Sequence, residues 1–162
     1  MSACALSIVC ACFNEEECLP ELYRRITAVC GQLGLPYEVV LVNDGSRDQT
    51  WQRMMEFADS DPRLVCVNLS RNFGHQAALM AGLSVCQGEH ILILDADLQD
   101  PPELLPEMLA QMDKGFDVVY GQRRSRSGES LFKRLTAAVF YRMLAWLTDI
   151  SIPRDTGDFR LL

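Results

Sequence analysis

The sequence predicts an α/β fold, a mostly parallel sheet with helices on both faces. Two observations carry this. Short apolar runs rich in β-formers alternate with segments of helical periodicity over residues 5–120, without interruption. Acidic residues also gather just past the ends of several of those runs, where open α/β sheets bind ligands.

The elements follow in order. Residues 5–12 (ALSIVCAC) read as a buried strand. Asn14-Glu15-Glu16-Glu17 reads as a helix start; Leu19, Leu22, Ile26, Val29 and Leu33 recur at helical spacing, and Gly34 closes the helix. Residues 37–42 (YEVVLV) form the second strand. Asp48 or Ser46 then caps a helix carrying Trp51, Met54, Met55 and Phe57. Residues 64–69 are the third strand, and 74–86 a helix with small residues on one side. Residues 91–94 are the fourth strand, 102–112 a helix with proline near its start, and 116–120 the fifth strand.

A chain of 162 residues suits one domain of ordinary size. No run reaches 18 uncharged apolar residues, so no membrane-spanning helix is expected. The first residues, MSACALSIVCACFNEEE, lack a basic leader, so they read as a strand and not as a signal peptide. The seven cysteines show no CxxC pair, and several sit in apolar runs where a thiol packs as a small hydrophobe. A reducing, cytosolic compartment is expected. Residues 1–120 carry 18 acids and 7 bases; residues 121–162 carry 4 acids and 8 bases. The acidic part is a poor nucleic-acid surface, whereas the basic tail suits phosphate. No GxGxxG follows the first strand, which counts against a dinucleotide cofactor.

The segment ILILDADLQDPP puts Asp95 and Asp97 at the end of an apolar run, where carboxylates are costly unless something pairs with them. In a regular strand the two would share a face; a turn at Ala96 would let both reach one point. With Glu15, Glu16 and Asp44 after the first two strands, five acids converge on one sheet edge. Mg2+ or Mn2+ carrying a phosphate would relieve their repulsion. The competing reading makes Asp97 a turn cap and pairs Asp95 with an arginine. Arg71, Arg123, Arg124 and Arg126 are candidate phosphate ligands, and RRSRSGES has the composition of a closing loop. His75 reads as a local hydrogen-bonding residue at a helix start, with donor phosphate as the alternative. His90 reads as structural.

The segments FNEEE, VNDGSRDQT, LSRNFGHQAALMAGL, ILDADLQDPPELL, VVYGQRRSRSGES and PRDTGDFRLL occur in this order in family 2 glycosyltransferases of the GT-A, Rossmann-like fold. The chain most resembles their polyprenyl-phosphate group, which includes bactoprenol glucosyltransferases and dolichol-phosphate mannose synthases. That resemblance implies a nucleotide-sugar donor, Mg2+ or Mn2+, and a lipid-phosphate acceptor. It places Phe13, Asn14, Glu15, Glu16, Asp44, Ser46, Asp95 and Ala96 at the nucleotide. It places Asp95, Asp97 and Gln99 at the metal, and Arg71, Arg123, Arg126 and Arg160 at diphosphate or acceptor phosphate. Asp97, Asp158 and Arg123 become the catalytic residues, with Asp158 on the acceptor side. A phosphate acceptor is already anionic near neutral pH and needs no general base, so Asp158 would position it. Attack at the anomeric carbon by that phosphate would invert its configuration.

Residues 131–150 (LFKRLTAAVFYRMLAWLTDI) gather Leu131, Leu135, Val139, Met143, Trp146 and Ile150 on one broad helical face. A helix lying in the membrane interface and one packed on the protein's own core both fit this pattern. The resemblance favours the interface, on the cytoplasmic side of the inner or plasma membrane. The exposed face would also favour self-association into a homo-oligomer.

The expected organisation is a nucleotide-sugar-binding core over residues 1–128, then the amphipathic helix and the start of an acceptor-side segment over 129–162. The relatives' further membrane region is expected to be missing. The expected function is inverting transfer of a sugar, UDP-glucose being the expected donor, to undecaprenyl or another polyprenyl phosphate. Two alternatives stay open: a domain that binds nucleotide without turnover, and a GDP-mannose-dependent enzyme of the dolichyl-phosphate type.

Overall fold

A computed structural model of the chain describes residues 4–122 and 156–162. The elements are β1 (Leu6–Cys12), α1 (Leu19–Leu33), β2 (Tyr37–Asn43), α2 (Thr50–Ser60), β3 (Leu64–Asn68) and α3 (His75–Leu83). Then come β4 (His90–Ile93), a 3-10 turn (Pro102–Leu104), α4 (Leu105–Met112), β5 (Val119–Gln122) and β6 (Thr156–Leu161). The amphipathic segment 131–150 and the basic loop around Arg123, Arg124 and Arg126 lie outside the described residues. Asp158–Leu162 forms one compact unit with residues 1–120, and 121–157 forms a second.

Among the described residues six strands make one sheet, in the order β3-β2-β1-β4-β6-β5. β1 pairs in parallel with β2 along its whole length, Leu6 opposite Tyr37 through Cys12 opposite Asn43. It also pairs in parallel with β4. Strand order therefore reverses at β1, which opens the ligand crevice of such sheets beyond the carboxyl ends of β1 and β4. β6 runs antiparallel to β4, with Leu92 opposite Leu161 and Ile93 opposite Arg160. Sequence pattern did not reveal this strand: TGDFRL has little apolar periodicity and reaches the sheet only after a long excursion.

Both faces of the sheet are covered, so β1 reads as a continuous apolar run and not an alternating one. Leu6, Ile8, Cys10 and Cys12 point to a core shared with Leu19, Leu22 and Ile26 of α1, Met54 of α2, and Leu105 and Met108 of α4. Val9 points to the other core, with Val40, Val42 and Ile93 under Ala78 and Leu79 of α3. Each fully buried leucine of this kind contributes about 2 kcal/mol. The small residues of α3 let it lie close to the sheet. A Cβ on Gly82 would stand 2.6 Å from Val9 Cγ1 and 3.0 Å from Val42 Cγ2.

Two helix starts differ from expectation. α1 begins at Leu19, not among the glutamates. Asn14 takes a left-handed conformation at φ 58°, and residues 16–18 form a turn before the helix. The backbone N–H groups there bond to the α2 entrance: Glu15 N to Thr50 Oγ1 at 2.8 Å and Glu16 N to Asp48 Oδ2 at 3.2 Å. The N-cap of α2 is Gln49, not Asp48 or Ser46 as expected; Asp48, one residue earlier, accepts on Oδ1 from Thr50 N at 3.0 Å. Ser46 instead accepts from Asn14 N at 3.0 Å.

Gly82→Val is expected to cost about 2–3 kcal/mol of stability by forcing α3 off the sheet, read as a lowered midpoint in urea unfolding.

Candidate functional site

β1 and β4 end side by side, and the chain segments leaving them define an open cleft of about 250 Å3. Ala11, Phe13, Glu15, His75, Asp95, Ala96, Asp97 and Asp158 line it. β4 stops at Ile93, and the chain turns at Ala96 and Asp97, so both aspartates line one cleft. Leu98 completes the turn in the left-handed region at φ 64°. A branched side chain there is strained, and such strain concentrates at functional loops. Asp100, buried beneath the turn, accepts from Asp95 N at 3.4 Å. Asp97 Oδ1 accepts from Gln99 N at 3.0 Å, so it does cap a turn, yet it still faces the cleft.

The acids expected at this rim divide into two groups. Glu16 and Asp44 are engaged internally. Glu16 accepts from Gln49 N at 2.7 Å. Asp44 is buried, and its two oxygens accept from Phe73 N at 2.8 Å and Gly74 N at 3.0 Å. It lines a second, smaller cleft of about 150 Å3 with Ala11, Cys12, Phe13, Asn72 and His75. Glu15, Asp95 and Asp97 face the larger cleft, and Asp158 joins them from β6.

No arginine or lysine among the described residues forms an ion pair with these open acids. The group that approaches them is the imidazole of His75, the first residue of α3. Its Nε2 is 2.9 Å from Asp158 Oδ2 and 3.5 Å from Asp95 Oδ1. That Asp95 oxygen is buried without a hydrogen bond. Burial is the largest influence on the Asp95 carboxyl and raises its pKa; His75 opposes this, and Asp100, Asp158 and Asp97 add to it. Glu15 is raised too, first by burial, against the Cys18 hydrogen bond and with the help of Asp97, Asp48 and Asp95.

An orphaned buried acceptor among mutually repelling carboxylates fits a divalent cation. His75, Asp95 and Asp158 each offer a ligand atom, all within 4.8 Å of one another. Oxygen ligands suit Mg2+ and Mn2+, and an imidazole nitrogen is compatible with Mn2+. The cysteines are poor candidates for such a site. Burial pushes the Cys10 and Cys12 thiols well up, and Cys66 to about 11, so they stay protonated at neutral pH.

The remaining expected ligands are placed less centrally. Phe13 is exposed at the cleft mouth. Asn14 and Ser46 bond each other across the β1 and β2 exits, and Asn14 Oδ1 accepts from Arg47 N at 2.8 Å. Gln99 is exposed, and its backbone N–H donates to Asp97 Oδ1. The Arg71 guanidinium lies over the Phe73 ring, 4.8 Å from its centroid, on an exposed loop. Arg160 keeps a buried Nε without a hydrogen bond. Arg123 and Arg126 lie outside the described residues. His75, read from sequence as a local hydrogen-bonding residue, is central here. The signal for it was its position straight after Gly74, at a helix start aimed at the rim.

Comparison with known proteins places the chain in a family and a fold. The chain is 49% identical over 156 residues to the uncharacterized glycosyltransferase YkcC of Bacillus subtilis, covering 96% of this chain and 48% of that one. It is 44% identical over 153 residues to the undecaprenyl-phosphate 4-deoxy-4-formamido-L-arabinose transferase of Pseudomonas fluorescens, covering 94% of this chain and 42% of that one. The chain thus spans about half the length of these relatives or less. Its fold matches the mannosyltransferase PcManGT of Pyrobaculum calidifontis, solved with GDP-Man and Mn2+, at a TM-score of 0.63. That match has 22% identity and covers 97% of this chain and 44% of the other. The fold is therefore GT-A. The model of the glycosyl transferase family 2 matches residues 7–162, so an acid-rimmed cleft at the β1/β4 switch point sits in a chain that belongs to that family.

Proposed function

We propose that this chain carries the donor-binding and transfer centre of a glycosyltransferase that moves a sugar from a nucleotide sugar to a polyprenyl phosphate. The observation that carries the proposal is the cluster of open carboxylates on rigid strand ends, with Asp95 Oδ1 buried and unbonded. A relative that acts on undecaprenyl phosphate supports the acceptor class. UDP-glucose is the donor we propose, and undecaprenyl phosphate the acceptor.

Asp95 and Asp97 would hold a Mg2+ or Mn2+ ion, with Gln99 as a further ligand from the same turn, and the His75 imidazole, 2.9 Å from Asp158 Oδ2, is assigned to that acid and not to the ion. When bound, such an ion neutralises charge on the departing nucleoside diphosphate. The chain's own groups do the rest. Phe13, Asn14, Glu15 and Ala96 frame the nucleotide, and the smaller cleft over Asp44 and Asn72 is where the nucleoside would reach. Asp158 faces Asp95 across the larger cleft and would align the acceptor. Because a phosphate monoester is already an anion, alignment and charge stabilisation suffice, and no group need remove a proton. Arg71, Arg123, Arg126 and Arg160 are proposed to bind the phosphates.

No described helix is long and apolar enough to cross a membrane. We propose that residues 131–150 lie in the interface of the cytoplasmic face and bring the centre to its lipid acceptor.

Three outcomes test this reading. Asp97→Asn abolishes Mn2+-dependent UDP binding in calorimetric titration while the melting temperature holds; unchanged affinity rejects the assignment. Asp95→Asn melts higher than the parent at pH 7 without metal. The raised carboxyl of Asp95 destabilises the fold once ionised, so the gap must close as pH falls and the parent's carboxyl takes up its proton. With Trp51 replaced by Phe, Trp146 emission shifts to the blue on adding anionic vesicles; an indifferent signal removes the interfacial helix.

A further inference from the structure

We infer that His75 and Gln76, in the first turn of α3, are positioning residues that set where the Asp158 carboxylate stands, and that Asp44 fixes this turn. The inference rests on the transfer reaction proposed above for its catalytic meaning, though the contacts themselves stand apart from it.

Asp158 arrives at the rim on β6, which lies between β4 and β5 in the sheet. β6 pairs with β4 at Leu161 and Arg160, and Leu162 exchanges backbone bonds with Ile91 at 2.9 and 3.0 Å. Asp158 lies two residues beyond the last of these pairs. Along β6 the side chains alternate. Phe159 and Leu161 enter the core of α1 and α4, and Leu162 enters the core of α3. Alternation therefore turns Asp158 to the α3 side. There its carboxylate is 2.9 Å from His75 Nε2, and its Oδ2 accepts from Gln76 Nε2 at 3.4 Å. Both contacts come from one helical turn.

That turn is itself fixed from β2. Asp44, 2% exposed, bonds the N–H groups of Phe73 and Gly74. Gly74 bends the chain into α3 at φ 95°. Gly45 lies against the same loop so closely that a Cβ would meet Arg71 C at 2.4 Å and Asn72 N at 2.5 Å. Behind the turn, Ala78, Leu79 and Gly82 are buried against the sheet. An anchored first turn therefore presents two donors to an acid whose strand pairing with β4 ends short of it. A carboxylate misplaced by even 1 Å in such a site costs on the order of a hundredfold in rate.

The experiment uses the full chain with UDP-glucose, Mn2+ and a short-chain polyprenyl phosphate. His75→Ala is expected to lower kcat by about tenfold to a hundredfold, with UDP and Mn2+ affinity unchanged in calorimetry. His75→Gln places an amide N–H near the Nε2 position and is expected to recover most of the loss. His75→Asn, too short to reach, is not. In an Asp158→Asn background His75→Ala is expected to add almost nothing, because the two act as a unit. Additive losses overturn the inference, since His75 would then act on substrate directly. Weakened Mn2+ binding in His75→Ala also overturns it, because the imidazole would then be a metal ligand. If the parent chain shows no turnover, the transfer reading fails, and the tether is decided by NMR alone. The Asp158 13Cγ resonance must move on His75→Ala and on Gln76→Ala, and unmoved resonances reject the contact.

Discussion

The site depends on one electrostatic condition: carboxylates held at the rim of a rigid sheet without enough positive charge among the described residues to balance them. Asp95 shows it most clearly. Its backbone is held at the end of β4 and by Asp100, one of its oxygens is buried and unbonded, and the His75 imidazole stands 3.5 Å away. A carboxylate kept in that state is destabilising unless a ligand supplies the missing charge. The open acids and the raised carboxyls of Asp95 and Glu15 belong to the same imbalance.

The fold keeps that imbalance in place through burial on both faces of the sheet. β1 lies in the middle, contributing Ile8, Cys10 and Cys12 to one core and Val9 to the other. With parallel neighbours on both sides, it cannot shift without breaking two ladders. The ends of β1 and β4 are therefore stiff supports for the loops that leave them. Such an arrangement suits a centre that works by alignment and fixed charge.

Not every acid at the rim serves a ligand. Glu16, Asp44, Asp48 and Asp100 are engaged with backbone N–H groups and build the loops, while Glu15, Asp95, Asp97 and Asp158 line the larger cleft, Asp97 also accepting from Gln99 N and Asp158 meeting His75. The two kinds are coupled. Asp44 shapes the loop before α3, and α3 presents His75 to Asp158. A buried acid after β2 thereby bears on the geometry of an acid on β6.

The alternation of apolar runs and helical spacing determined the α/β class and the parallel core, because period and burial are local properties of the chain. Leu19, Leu22, Ile26 and Val29 were legible as the inner face of α1 for that reason, and the DAD segment as a rim site because it ends an apolar run. Other features were decided only by tertiary structure. The glutamates after β1 looked like a helix start, but long-range bonds to Thr50 and Asp48 hold them in a turn. β6 was not visible, since an antiparallel strand with sparse apolar residues takes its identity from pairing with β4 and not from its own pattern. The same pairing brings Asp158 to His75 across 83 positions of sequence, a separation that no local pattern encodes. Which acids are open and which are engaged follows from partners distant in the chain, and only the folded protein supplies them.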